Sequence, residues 1–518
     1  MMVSLLLSRI LGILRETIMV SHFGRGDLTD AYVLAFQIPD LLFFLIAGGA
    51  LSSAFIPVFS EYLHTDKKQE AWKVFSSVVT IMSVFLLFFI ALNMIFTPQI
   101  VALMNQNMLP ERKEALFPLI TQMSRILVPA QYAFFIGGLM FGTLYAHKMF
   151  SIPGLGPNIY NLGIIFGAIV ISRFVQPGIV GMAYGAMAGA IIGNLIIPFF
   201  AMRKIGAQFK PGFNFQHEGV KKVFMLMLPV IIGLSLPGVY GMIMRYLGSG
   251  FDAGAVTSLD LANKLMQAPL GIFGQSFAIA VFPELSKLFA EKSMDRFRVQ
   301  LASSLRQTLY ITIPIAAIMA VLSLDIVTAL FQYGKFGAGD SSSVSACLLL
   351  FCIGIPAWCL HPILMRGYFA MQNTWKPILV GTLTTVVFVI LGYTLSRTSM
   401  GYLGLPLASS ISAILMAFAL LILVSKDTGG MDLAPFAKVF FQSLIGGLCA
   451  AGVAWLLYRF LPTGDMGIGR NIAAILRVLF IGCTAMWVHL LITRKMGMKE
   501  AELMERVERK FVRNKPTS

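Results

Sequence analysis

Phe55-Ile56-Pro57-Val58-Phe59-Ser60 returns 226 positions later as Val281-Phe282-Pro283-Glu284-Leu285-Ser286. Ile100-Val101 returns as Ile326-Val327 at the same offset, and Tyr145-Ala146 with Pro153 returns as Phe369-Ala370 with Pro377 at an offset of 224. One such match among apolar residues is chance, but three in the same order at one period mark a duplication. Each copy holds six apolar spans, and because six is even the copies cross a membrane in the same direction, related by an axis along its normal.

The composition around the repeat makes the bilayer the solvent. Of 518 residues, 57% are hydrophobic and 12% charged, with mean hydropathy +0.80, whereas a soluble domain carries roughly 25% charged residues. Candidate spans begin near Val3, Tyr32, Val74, Phe117, Ile152, Ile179, Val223, Leu261, Leu309, Val344, Pro377, Leu403, Phe436 and Ile472. Each is long enough for a hydrocarbon core of about 30 Å. The expected fold is therefore an all-α polytopic membrane protein of about 14 transmembrane helices. It divides into an N-lobe over 1–202, an amphipathic linker over 203–222, a C-lobe over 223–425, two further spans over 426–493 and a basic tail over 494–518.

A net charge of +16 raises the question of nucleic acid. The basic residues answer it by position, since 26 fall in loops and tail on the side of the termini and nine on the other. That asymmetry sets orientation and places both termini in the cytoplasm; no nucleic-acid partner is needed. The linker from Arg203 to Lys222 mixes Phe209, Phe213 and Phe215 with Lys210, His217, Lys221 and Lys222, and it reads with the tail helix Met498–Arg513 as membrane-surface structure. The five cysteines, Cys347, Cys352, Cys359, Cys449 and Cys483, have no zinc-site spacing and read as small core residues. Met1 to Val20 carries Arg9, Arg15 and Glu16 within its apolar run and reads as the first span, not a cleaved signal.

Five basic residues lie inside spans: Arg9, Arg15, Arg125, Lys264 and Arg477. A charge at a helix centre costs at least about 2.5 kcal/mol on insertion scales, so each faces a cavity or a partner. Arg9 and Glu16 fall on nearly one face, with Arg15 about 100° away, and Ser8 and Gly12 widen this polar sector. Gly12 would also let a neighbouring backbone approach closely. An ion-pair network to Asp30 and Asp40 of the second span is the purely structural alternative for Arg9 and Arg15. Lys264 follows Asp260 by four residues, the spacing of a helical ion pair. Arg125, near Pro129 and beside Thr121, Gln122 and Ser124, fits either a cavity wall or a helix contact, and Arg477 fits a snorkelling cation. Proline within spans, at Pro39, Pro129, Pro157, Pro229, Pro237, Pro269, Pro314 and Pro356, marks kinks. With neither G-x-x-x-x-G-K-[ST] nor H-E-x-x-H, and no acid/base carboxylate pair, the chain is expected to be a transporter and not an enzyme, with no cofactor and no metal site. Cations from two halves suit an anionic cargo such as a diphosphate.

Ser8-Arg9-Ile10-Leu11-Gly12-Ile13-Leu14-Arg15-Glu16, Thr29-Asp30-Ala31-Tyr32, Phe36-Gln37-Ile38-Pro39-Asp40 and Ala54-Phe55-Ile56-Pro57 resemble the start of the lipid II flippase MurJ (MviN) family. Leu330-Phe331-Gln332-Tyr333-Gly334-Lys335-Phe336 and Arg366-Gly367-Tyr368-Phe369-Ala370 are similar to its second-half motifs. The resemblance covers nearly the whole chain. It implies the MOP-superfamily, MATE-like fold and alternating access that carries undecaprenyl-diphosphate-linked disaccharide-pentapeptide across the bacterial inner membrane for peptidoglycan synthesis. Another polyprenyl-diphosphate oligosaccharide, or a MATE-type antiport, is the alternative. Arg9, Arg15 and Lys264 match the family's cavity cations and Asp30 its second-helix aspartate, with Glu16 and Asp260 beside them, Arg125 and Asn263 as further cavity candidates, and spans thirteen and fourteen as a lipid-tail groove. Lipid II and membrane lipids are the implied partners of a monomer working near cell-wall synthases. The chain departs from the family at Phe43, Phe44 and Gly48, where charged residues are common, and at Asn263-Lys264, where an Asp-Arg pair is. Its start is shorter than the family pattern, so Met1 is expected to be a late start.

Overall fold

A computed structural model of the chain describes residues 2–45, 50–65, 67–461 and 469–501. Among them there is no strand: in a bilayer every backbone polar group must bond within the chain, which a helix does segment by segment. Gly48, most of the expected tail helix Met498–Arg513 and the side chains of Phe44, Pro229 and Pro237 lie outside the described residues.

The chain packs as two units, Met1–Thr257 with Tyr333–Phe336, and Ser258–Gln332 with Gly337–Ser518. The first unit opens with α1 (Met2–Phe23), α2 (Asp27–Ala35), α3 (Gln37–Leu45), α4 (Ala50–His64) and α5 (Lys68–Met104). It continues through α6 (Pro110–Leu127), α7 (Ala130–Ala146), α8 (Ser151–Ile169), α9 (Val180–Ile191), α10 (Ile197–Lys204) and α11 (Glu218–Gly248). The division differs from one drawn by the repeat, because α11 packs along α4 and α3 within the first unit. Helix α12 (Ala255–Pro269) begins at the boundary. The second unit then holds α13 (Gln275–Ala290), α14 (Met294–Val321), α15 (Ser323–Phe331), α16 (Ala338–Cys352), α17 (Ile355–Ala370), α18 (Trp375–Ser396), α19 (Gly404–Asp427), α20 (Ala434–Phe460) and α21 (Arg470–Lys495).

Every expected span start falls in a helix or abuts one. By length and apolarity alone, however, ten of the described helices qualify as spans, or eleven when α16 and α17, bent by 50°, count as one. Two of the shortfalls have plain causes. Helix α1 carries Arg9, Arg15 and Glu16, and the second span is broken at Phe36 between α2 and α3. The proline kinks explain other breaks: Pro129 separates α6 from α7, Pro356 begins α17 at the bend, and Pro269 precedes a π-helical turn at Leu270–Gly274. Linker residues 205–217 form no helix, while the linker's two ends belong to α10 and α11. It runs beside α5, where Ser76 Oγ donates to Gln208 O at 3.3 Å and accepts from Lys210 N at 3.1 Å, and Thr80 Oγ1 accepts from Gly212 N at 3.3 Å.

Close backbone approach occurs away from the expected place. A Cβ at Gly12 would meet nothing within 4 Å, so that position is open and binds no neighbouring helix. The tight contact is between α8 and α9, where a Cβ at Gly185 would lie 2.2 Å from Gly163 O and one at Gly163 would lie 2.5 Å from Gly185 O. Small residues that let backbones touch are the main source of helix attraction in lipid, where the hydrophobic effect between helices is absent. Cys449 and Cys483 are likewise not core residues, being exposed on α20 and α21, while Cys347, Cys352 and Cys359 are buried. Gly185→Leu is expected to force α8 and α9 apart and lower the melting temperature of the purified protein, by the equivalent of about 1–3 kcal/mol for an overpacked contact. Gly482→Leu on α21, where a Cβ meets nothing within 4 Å, should leave it unchanged.

Candidate functional site

Helix α1 presents its polar sector to α8. Asn158 Nδ2 donates to Ser4 Oγ at 2.7 Å, and Asn161 Nδ2 donates to Ser8 O at 3.2 Å, so two asparagines three residues apart hold successive turns of α1. Arg15 closes this ladder. Its Nη1 donates to Asn161 Oδ1 at 3.0 Å and its Nε to Glu16 Oε1 at 3.0 Å, with Nη2 bonded to the same oxygen. Glu16 is buried and Arg15 half-buried. Arg9 differs: it is exposed and has no bonding partner among the described residues. A cation in an apolar helix faces a cavity or a partner, which makes Arg9 a site candidate.

The second-span carboxylates are engaged elsewhere than α1. Arg112, on α6, donates from Nε to Asp27 Oδ1 at 2.8 Å and from Nη2 to Asp30 Oδ2 at 2.8 Å, and Nη1 bonds Phe251 O. Asp30 is fully buried and also accepts from Gly254 N at 2.8 Å, Thr257 N at 2.8 Å and Thr257 Oγ1 at 2.6 Å. Asp40 accepts from Arg245 Nη1 at 2.6 Å. The network expected to join the first and second spans is thus replaced, because Arg112 and Arg245 reach the aspartates first. Asp30, with both oxygens bonded and no exposed surface, anchors the entry to α12.

In the second unit Lys264 Nζ meets Asp260 Oδ2 at 2.5 Å, the expected i,i+4 pair, and the lysine side chain keeps 37% exposure while the aspartate keeps 11%. Asn263 beside it is half-buried. Arg477 does not snorkel. It is 6% exposed, its Nη2 donates to Tyr458 O at 3.1 Å, its Nε lies 3.4 Å from Asp325 Oδ2, and its guanidinium sits 4.7 Å from the Tyr458 ring centroid. A carboxylate on α15 and an aromatic face on α20 give it an interior environment that the sequence position near the start of α21 conceals. Helices α14, α17, α19 and α20 line an apolar groove of about 650 Å³, walled by Ile313, Leu360, Phe418, Phe436 and Phe440. Arg125 lines a separate groove of about 600 Å³ within the first unit.

A family model described as "Lipid II flippase MurJ" matches residues 19–476. The chain belongs to the lipid II flippase MurJ family. The curated lipid II flippase MurJ of Burkholderia cenocepacia is 26% identical over 520 residues, covering 97% of each chain. A probable lipid II flippase MurJ of Buchnera aphidicola subsp. Acyrthosiphon pisum is 30% identical over 374 residues, 72% of each. A solved lipid II flippase MurJ in an inward closed conformation superposes with TM-score 0.77 at 24% identity, over 96% of this chain and 99% of that one. An inward-facing MATE family transporter of the MOP superfamily follows at TM-score 0.69 and 12% identity, over 82% and 96%. These structures show that the chain shares the fold of the solved MurJ and MATE transporters, and family membership agrees with a multi-pass membrane transporter that is not an enzyme.

Within a MurJ-family chain the Arg112 contacts are the clearest functional geometry missed by sequence reading, which assigned Arg112 and Arg245 to loops. Arg112→Gln strands Asp30 as a buried charge and is expected to lower stability by about 3–5 kcal/mol. Adding Asp30→Asn should recover part of that loss. A thermal-unfolding double-mutant cycle in detergent measures the coupling, and strict additivity of the two changes would refute the pairing.

Proposed function

We propose that the chain carries undecaprenyl-diphosphate-linked disaccharide-pentapeptide from the cytoplasmic to the outer leaflet of the bacterial inner membrane by alternating access, with both termini in the cytoplasm. The observation that carries the residue assignment is Arg9, an exposed span cation without a carboxylate among the described residues. The proposed head-group ligands are Arg9, Arg15 and Lys264. A diphosphate presents several acceptor oxygens, and charge-assisted bonds to guanidinium and ammonium groups are about twice as strong as neutral ones.

Glu16 and Asp260 then act as resident counter-ions. They hold Arg15 and Lys264 when no cargo is present, so binding exchanges one ion pair for another in place of uncovering a bare charge. Cargo arrival releases a carboxylate on each helix, which gives the head group a means of biasing conformation through the groups it displaces. The apolar groove walled by α14, α17, α19 and α20 suits a flexible polyprenyl chain, and α20 is the helix there that lies beyond the repeat. The tail is thus given an apolar path and the head group a cationic one. This reading leaves lobes at 1–202 and 223–425 as the proposed moving bodies and a monomer beside the cell-wall synthases as the proposed working form.

Single replacement by alanine in cells depleted of their own flippase tests the assignment. Arg9→Ala is expected to abolish lipid II export at unchanged protein level and unchanged melting temperature, since no protein contact is lost. Arg15→Ala and Lys264→Ala should also abolish export, and Arg15→Ala should in addition destabilise the fold by removing the guanidinium that buried Glu16 bonds. Normal export by all three would exclude them as cargo ligands. Ala437→Trp, which narrows the apolar groove, is expected to slow export several-fold while a water-soluble diphosphate still binds, a result read by ligand-induced change in melting temperature.

A further inference from the structure

Arg125 lies well inside the described span Pro110–Ala146, is exposed, and has no carboxylate partner among the described residues. It sits in the continuous apolar run Pro110–Ala146, fifteen residues after Pro110, or about 22 Å at 1.5 Å per residue. A guanidinium there needs an anion or water.

Its surroundings form a built groove. Thr121, Gln122 and Arg125 share one stripe of α6 at spacings of three and four, so a hydroxyl, an amide and a guanidinium offer donors side by side. Phe117, Pro118 and Ile126 flank the stripe, and Pro98 of α5 and Tyr184 of α9 form the facing wall, enclosing about 600 Å³. Side chains of a helix lean toward its N-terminus. Arg125 therefore leans toward the Pro110 end of α6, over Gln122 and Thr121. Pro98 lies six residues before the end of α5 and Tyr184 four after the start of α9.

We propose that this groove holds one phospholipid with a net anionic head group, its phosphate bonded to Arg125, Gln122 and Thr121 and an acyl chain lying against the apolar side chains of the groove. The site is separate from the apolar groove of the second unit and does not depend on which cargo the chain moves. A zwitterionic lipid carries its own ammonium and leaves the arginine's charge uncompensated, so the groove selects an anionic one. An acyl chain also explains a wall that is mostly apolar, which a free phosphate would not use.

Native mass spectrometry of the full-length protein, delipidated and then titrated with phosphatidylglycerol or phosphatidylcholine, tests this. The wild type is expected to retain phosphatidylglycerol roughly tenfold more strongly than phosphatidylcholine, as one charge-assisted contact allows. Arg125→Gln should remove the preference and Arg125→Lys should keep most of it. Ile126→Trp, which fills the groove and leaves the charge, should lose the lipid. The proposal is overturned if Arg125→Gln retains phosphatidylglycerol as the wild type does, or if the wild type binds both lipids equally. Should Arg125→Gln not fold, phosphatidylglycerol binding by Ile126→Trp at the wild-type level overturns it equally.

Discussion

The hydrocarbon core supplies no hydrogen bonds, and that constraint organises this protein more than any single contact. Backbone groups meet it by forming helices. Where helices break, other groups step in: Ser124 Oγ donates to Ala35 O at 3.0 Å beside the α2–α3 break. Side-chain charges meet the constraint by pairing, as Arg112 does with Asp27 and Asp30, Arg245 with Asp40, and Arg477 with Asp325. A cation that remains accessible and unpaired against this background is informative because the surrounding pattern is pairing.

The fold was legible because its signals are local or periodic. Apolar runs of span length need no partner to be recognised, and the duplication keeps its period wherever α4 and α13 each carry an internal proline, Pro57 and Pro283. The Asp260–Lys264 pair was legible for the same reason, since helix geometry alone brings positions four apart together. Family motifs added residue roles for Arg9, Arg15 and Asp30 that spacing does not provide.

What stayed hidden depends on contacts between residues distant in sequence. Arg112 is 82 residues from Asp30 and stands two residues into α6, where it reads as loop charge. Arg245 is 205 residues from Asp40 and also reads as a loop charge at the end of α11. Assigning both to topogenic charge left the aspartates free on paper, which is why a pairing with α1 looked available. Arg477 shows the same limit from the opposite direction: a position near a helix start suggests an escape to water, but Asp325 and Tyr458 hold it inside.

Arg9 and Arg15 lie on one helix, yet the structure separates their roles. Arg15 is tied to Glu16 and Asn161, so it contributes to the docking of α1 on α8 before any cargo is considered. Arg9 makes no such contribution among the described residues. Loss of Arg15 therefore mixes a folding effect with a transport effect, while loss of Arg9 isolates the second. Lys264 falls between them, paired with Asp260 but more than a third exposed, which suits the proposed exchange of partners. Membrane potential adds a further distinction, acting on any of these charges that moves across the field at about 2.3 kcal/mol per charge per 100 mV. A cation already neutralised by a travelling carboxylate contributes little to that work, so the voltage sensitivity of transport should follow the unpaired Arg9 more than the paired Arg15.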